Sequence, residues 1–95
     1  MITIFKIKKG KEKKLERWLK AIKNKHWAEA VDSVWFEGIT REATTIIGNQ
    51  LIFLTEGIAK RRSYDKISVK HREIMKECCI FPPQRAESIY DIEII

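Results

Sequence analysis

The only imidazoles in the chain are His26 and His71, and its only thiols are Cys78 and Cys79. Three of these four side chains fall in one stretch, VKHREIMKECC, residues 69–79. Imidazole and thiolate together could bind zinc or run a redox couple, so their spacing decides. On a helix His71 and Cys78 share a face but stand two turns, roughly 10 Å, apart. A single zinc needs its ligands about 2.0–2.3 Å away. The one-turn positions between them are Ile74 and Met75, and no other His/Cys pair completes a set. Cys79 lies about 100° around the helix from Cys78, and adjacent cysteines make a poor structural bridge. The expectation is therefore no metal, with Cys78 packed at a helix end.

The two histidines are more informative as a pair. His71 recurs at helical spacing with Ile67, Ile74 and Cys78, and His26 with Leu19, Ile22 and Ala30. Both stripes should face the layer between helices and sheet. Histidine titrates near neutrality and can donate, accept or shuttle a proton. His71 and His26 are thus the candidate catalytic residues. With Tyr64, Tyr90 and Trp27 they are expected to line a pocket for a small, largely apolar ligand. The plainer alternative is a buried histidine satisfied by backbone or tyrosine. Trp18 reads as core, whereas Trp27 and Trp35 fall off the main stripe and either wall a pocket or meet a partner.

Other chemistry is absent from the pattern. Glu37, Glu42 and Glu56 sit near strand ends and Asp91 and Glu93 alternate, but no spacing forces acid–base geometry. There is no glycine-rich phosphate loop and no G-x-S-x-G. No cofactor is expected. The basic triplet in AKRRS, residues 59–63, reads as a solvated loop.

These side chains need elements to carry them. Residues 2–8, ITIFKIK, read as a first strand of β-branched and aromatic residues. A helix follows from Lys11 toward Gly38, whose glycine suits a C-terminal cap. Its apolar stripe drifts near Trp27. REATTIIG and QLIFLTEG, separated by a turn at Gly48-Asn49, read as a β-hairpin. Ser68 is a plausible N-cap for a second helix over 69–79. Pro82-Pro83 mark a loop, and ESIYDIEII, residues 87–95, reads as the last strand. The order β-α-β-β-α-β packs most simply as an α+β, ferredoxin-like domain: a four-stranded antiparallel sheet with two helices on one face. Residues 1–95 make a single domain. The strands are apolar on both sides, so the bare sheet face should be an interface. A homodimer, sheet against sheet, would bury it.

This layout resembles the dimeric α/β-barrel superfamily of ferredoxin-like proteins, and within it a small family of uncharacterised bacterial proteins. Three stretches carry the likeness: VWFEGI (34–39), REATTIIGNQLIFLTEG (41–57) and KISVKHREIM (66–75). The last is similar to a His-Pro-Ile-Asp-x-Glu-His segment of that family. There Ile67 holds the Ile position and His71 the final His, Ser68 replaces Asp and Lys66 replaces Pro. The resemblance implies a dimeric fold but no activity, since the wider superfamily includes cofactor-independent monooxygenases, haem-degrading enzymes, isomerases and simple binders.

Charge separates the remaining classes. The net charge is +6, but residues 1–31 hold ten Lys/Arg against three Glu, and residues 32–95 hold nine basic against ten acidic residues. Such asymmetry can serve nucleic acid. The basic 6–25 stretch lacks interleaved exposed aromatics, so nucleic-acid binding ranks last. No run approaches 18 apolar residues, no secretory signal order is evident, and the cysteines form no disulfide framework. The expected setting is a reducing cytoplasm without membrane contact. A small-ligand binder or cofactor-independent enzyme ranks first, and a structural or regulatory dimerisation module second.

Overall fold

The computed structural model describes residues 1–86. Its elements run β1 (Ile2–Ile7), α1 (Glu12–Lys25), α2 (Trp27–Glu37), β2 (Ile39–Ile47), β3 (Gln50–Gly57), α3 (Lys66–Cys78) and β4 (Cys79–Ala86). The fold is α+β: one four-stranded antiparallel sheet in the order β2-β3-β1-β4, with three helices. β1 lies between β3 and β4, with Thr3 opposite Phe53 and Phe5 opposite Leu51. Alternation then sends Phe5, Ile7, Leu51 and Phe53 to one face, where they pack with Leu15 of α1 and Met75 and Cys78 of α3. The opposite face carries Ile2, Ile4, Ile52 and Leu54 in register. No described helix covers it.

Three sequence expectations need correction. The single helix expected from Lys11 to Gly38 is two helices, because His26 leaves helical geometry at φ −127° and ψ 21°. A straight helix over residues 12–37 would run about 39 Å. The longest strand, β2, has nine residues, which span about 30 Å. The bend keeps the apolar side of α2 over β2 instead of carrying it past the sheet.

The second helix starts three residues earlier than the spacing suggested. Its N-cap is Asp65, not Ser68: the Asp65 Oδ1 accepts from the Ser68 backbone N–H at 2.9 Å. Both residue types cap helices; the buried serines described below decide between them. Pro82 and Pro83, expected in a loop, lie inside β4. β4 is an edge strand, and its register against β1 shifts between Ile4 and Lys6, where the missing N–H groups cost no ladder bond. The strand expected over residues 87–95, with Tyr90, lies outside the described residues.

Two glycines close the hairpin onto α2. Gly38, at φ 94°, caps α2, and a Cβ there would meet the Ile58 carbonyl oxygen at 2.5 Å. Gly57, at φ 101°, lies as close to the Gly38 oxygen, at 2.6 Å from where its Cβ would stand. Only glycine meets both demands, a positive φ and a backbone at contact distance.

Candidate functional site

α1 and α3 set His71. Trp18 is buried on the sheet-facing stripe of α1, and its indole Nε1–H donates to His71 Nδ1 at 2.9 Å. The two rings are near-coplanar, 26° apart, with centroids at 6.3 Å. An indole nitrogen can only donate, so Nδ1 must be the unprotonated nitrogen and Nε2 carries the hydrogen. Below, the Phe53 ring meets His71 edge-on at 6.4 Å between centroids. Burial among these groups, and then the charge of Arg72, hold His71 below the usual histidine value. The neutral imidazole is the resting form.

His71 opens onto a cleft of about 1000 Å³ between α2 and the helix-facing side of the sheet. Apolar groups from α2 (Trp27, Val31, Val34, Trp35), the sheet (Phe53) and α3 (Ile67) form most of its wall. Trp27 and Trp35 are 61% and 71% exposed. That is unusual for two tryptophans on one helix, and consistent with a wall that faces a cleft rather than a filled core. Among the described residues, the Nε2–H of His71 makes no hydrogen bond.

A polar clasp holds the wall in place. The Ser33 hydroxyl of α2 donates to Asp65 Oδ2, and the Ser63 hydroxyl donates to the same oxygen at 2.8 Å. Ser33 and Ser63 are both buried. The Ser63 N–H donates to Glu37 Oε2 at 3.0 Å, and Arg72 Nη2 donates to the Ser63 carbonyl at 2.6 Å. The hydrogen bond from Ser33, then those from the Ser68 N–H and Ser63, lower the Asp65 carboxyl to about 2. A carboxylate here therefore ties α2, the 58–65 loop and α3 together.

One carboxyl in the cleft has no such partner. On β2, Glu42 stands on the helix-facing side with Thr44, which pairs with Phe53. The Glu42 side chain is exposed, and its neighbours only partly enclose the carboxyl. That enclosure, and then the charge of Glu37, raise its carboxyl above the ordinary carboxylate value. Among the described residues, Glu42 makes no hydrogen bond and no ion pair.

The expected ligand residues separate. His71 and Trp27 border the cleft. His26 does not: its ring lies 6.2 Å from Trp18, which has His71 as its other imidazole neighbour at 6.3 Å. Its Nδ1 is enclosed without a hydrogen-bond partner among the described residues. Tyr64 is 74% exposed and outside the cleft, with the guanidiniums of Arg62 and Arg72 over its ring at 5.8 and 5.2 Å. Tyr90 lies outside the described residues. Cys78 and Cys79 are core, at 0% and 1% exposure. Burial, then the neighbouring Cys78, pushes the Cys79 thiol up to about 11. Such thiols are poor nucleophiles. Among the described residues, no group of three or more His, Cys, Asp or Glu could hold a metal ion, and no helix is long and apolar enough to cross a membrane.

Sequence reasoning passed over Glu42 and the clasp. A signal for Glu42 was present: it is the one carboxylate in β2, set with Arg41 in a strand otherwise of apolar residues and threonine. Which face it occupies depends on the hairpin register.

No protein-family model matches the chain, and neither a curated protein nor a solved structure matches it.

Proposed function

We propose that the chain binds a small, largely apolar ligand in the cleft beneath α2, with His71 as its central polar contact. One observation carries this reading. His71 is pinned by Trp18 on one nitrogen, and the other nitrogen, on a residue that borders the cleft, has no partner among the described residues. The apolar wall supplies affinity and the imidazole supplies orientation, which is the usual division in ligand sites.

The test is titration with 1-anilinonaphthalene-8-sulfonate, an apolar fluorophore. The expected result is saturable binding to one site. Ala30→Trp, which fills the cleft, should abolish it while leaving the fold intact. Binding that does not saturate, or that is indifferent to Ala30→Trp, would overturn the reading.

A second copy of the chain is proposed to cover the outer sheet face. The apolar row of Ile2, Ile4, Ile52 and Leu54 supports this. The strand order supports a ferredoxin-like arrangement whose first helix is divided, paired sheet to sheet as in the dimeric α/β barrels. On this reading the dimer is the scaffold and the cleft is the working site. Should the cleft prove empty of function, dimerisation alone remains as the role.

A further inference from the structure

Glu42, Phe53 and His71 border the same cleft. Glu42 is diagonal to Phe53 across the β2–β3 pairing, since Thr44 lies opposite Phe53 and Glu42 opposite Thr55. Diagonal neighbours of this kind stand about 7–8 Å apart. The His71 ring contacts Phe53 directly. Both side chains line the cleft, so a ligand of a few atoms lying on Phe53 can touch both. The fold uses neither working atom: the Glu42 carboxyl has no partner among the described residues, and Trp18 engages only the far nitrogen of His71.

We infer that the cleft catalyses proton transfer at carbon, with Glu42 as the base and the His71 Nε2–H as the hydrogen-bond donor to the carbonyl oxygen of an enolisable, largely apolar ketone or aldehyde. This rests on the ligand-binding cleft proposed above. In the step, Glu42 takes the α-proton. The C–H electron pair becomes the C=C bond of an enolate, and the C=O π pair moves to oxygen, where Nε2–H meets it. The proton then returns from the Glu42 carboxyl to the same carbon. In a β,γ-unsaturated compound it returns to the γ carbon, which gives the conjugated isomer. Nothing is oxidised or reduced and no second substrate enters.

The two environments suit the two roles. Partial enclosure and the charge of Glu37 raise the proton affinity of the Glu42 carboxyl, which makes it a stronger base than an ordinary carboxylate. A neutral imidazole with its tautomer set by Trp18 offers a donor aimed at developing charge and needs no reorganisation to do so. A base and a neutral donor bordering one cleft are the requirements of enolisation.

The experiment follows deuterium entry from D2O into 2-tetralone, an apolar bicyclic ketone, by proton NMR with the full chain. Ketone binding is read separately from tryptophan fluorescence. The expected result is exchange at least about 100-fold above buffer, lost in Glu42→Gln while ketone binding and melting temperature are unchanged. Exchange should rise with pH to a plateau, with a midpoint above the ordinary carboxylate range. Lys23 of α1, Asp32 and Glu37 of α2, Arg41 of β2, Arg62 of the loop, and His71 and Arg72 of α3 also border the cleft. Glu37→Gln should lower the midpoint, which ties it to Glu42. If the ketone binds but exchanges at the buffer rate, or if Glu42→Gln exchanges like the parent, the catalytic assignment falls and the binding site stands. If the ketone does not bind, both fall.

Discussion

Trp18 donates its indole N–H to Nδ1 of His71, 53 positions later, at 2.9 Å. One helix thereby sets the protonation pattern of a residue on another. Because indole has no acceptor, the hydrogen on His71 must sit on the nitrogen that Trp18 does not engage. The core of the protein and the wall of its cleft meet in this bond.

Trp18→Phe keeps an aromatic ring there but removes the donor. The enclosed Nδ1 is then left without a partner, which costs about 1–3 kcal/mol. Urea unfolding should show that loss. Nitrogen NMR should show His71 as a mixture of both neutral tautomers. A His71 still held in the single Nε2–H form would mean that something other than Trp18 sets it.

His71 also makes stability depend on pH. Its folded-state value is lowered by burial and by Arg72, against about 6.5 in an unfolded chain. As pH falls through 6.5, the unfolded state takes up more protons than the folded one, so stability falls with it. The contribution is complete above about pH 6.5 and is lost from there down toward the folded-state value. Between about pH 7.5 and pH 5.5 the parent protein should lose more stability than His71→Gln. Equal losses would contradict the assignment.

Asp65 acts in a lower window. Its carboxyl is depressed to about 2 in the folded chain and stands near 3.9 when unfolded. Its contribution is therefore complete above about pH 4 and is lost as pH falls toward 2. Asp65→Ala removes both the cap and the acceptor shared by Ser33 and Ser63. It should cost about 1–2 kcal/mol near neutral pH. It should also loosen α2, seen as faster amide exchange across residues 27–37. Stability loss without that local change would make Asp65 a simple cap.

The outer sheet face is tested by charge. Ile52 lies at its centre, opposite Ile4. Ile52→Lys should convert a dimer into a folded monomer in light scattering, because an unpaired ammonium cannot be buried between two sheets. A parent protein that is already monomeric at micromolar concentration would remove the proposed dimer.

Much of the local structure was legible in the residues. The hairpin around Gly48-Asn49, the strand over residues 2–7, the Gly38 cap and the inward stripe bearing His71 all follow from short-range patterns: alternation, helical period and the freedom of glycine. The burial of Cys78 was legible too, since it lies on the inward stripe of its helix with Ile67 and Ile74. The start of α3 was less so, because both Asp65 and Ser68 are good caps and the choice rests on Ser33, more than 30 residues away. The prolines of β4 were misread for a related reason. Proline forbids an interior strand but not an edge strand, and edge position is a property of the whole sheet.

The sequence by itself determined the first strand, the hairpin and the inward stripe of α3, because periodicity and capping act over a few residues. Only the tertiary structure decided which inward side chains share a site. The bend at His26 moved that histidine out of the cleft, where the sequence had paired it with His71. The hairpin register brought in Glu42, which the sequence had set aside. The physical reason is that a cleft is made where three elements fail to close on one another. Where they fail depends on helix direction and strand register across long separations, and no local pattern encodes either.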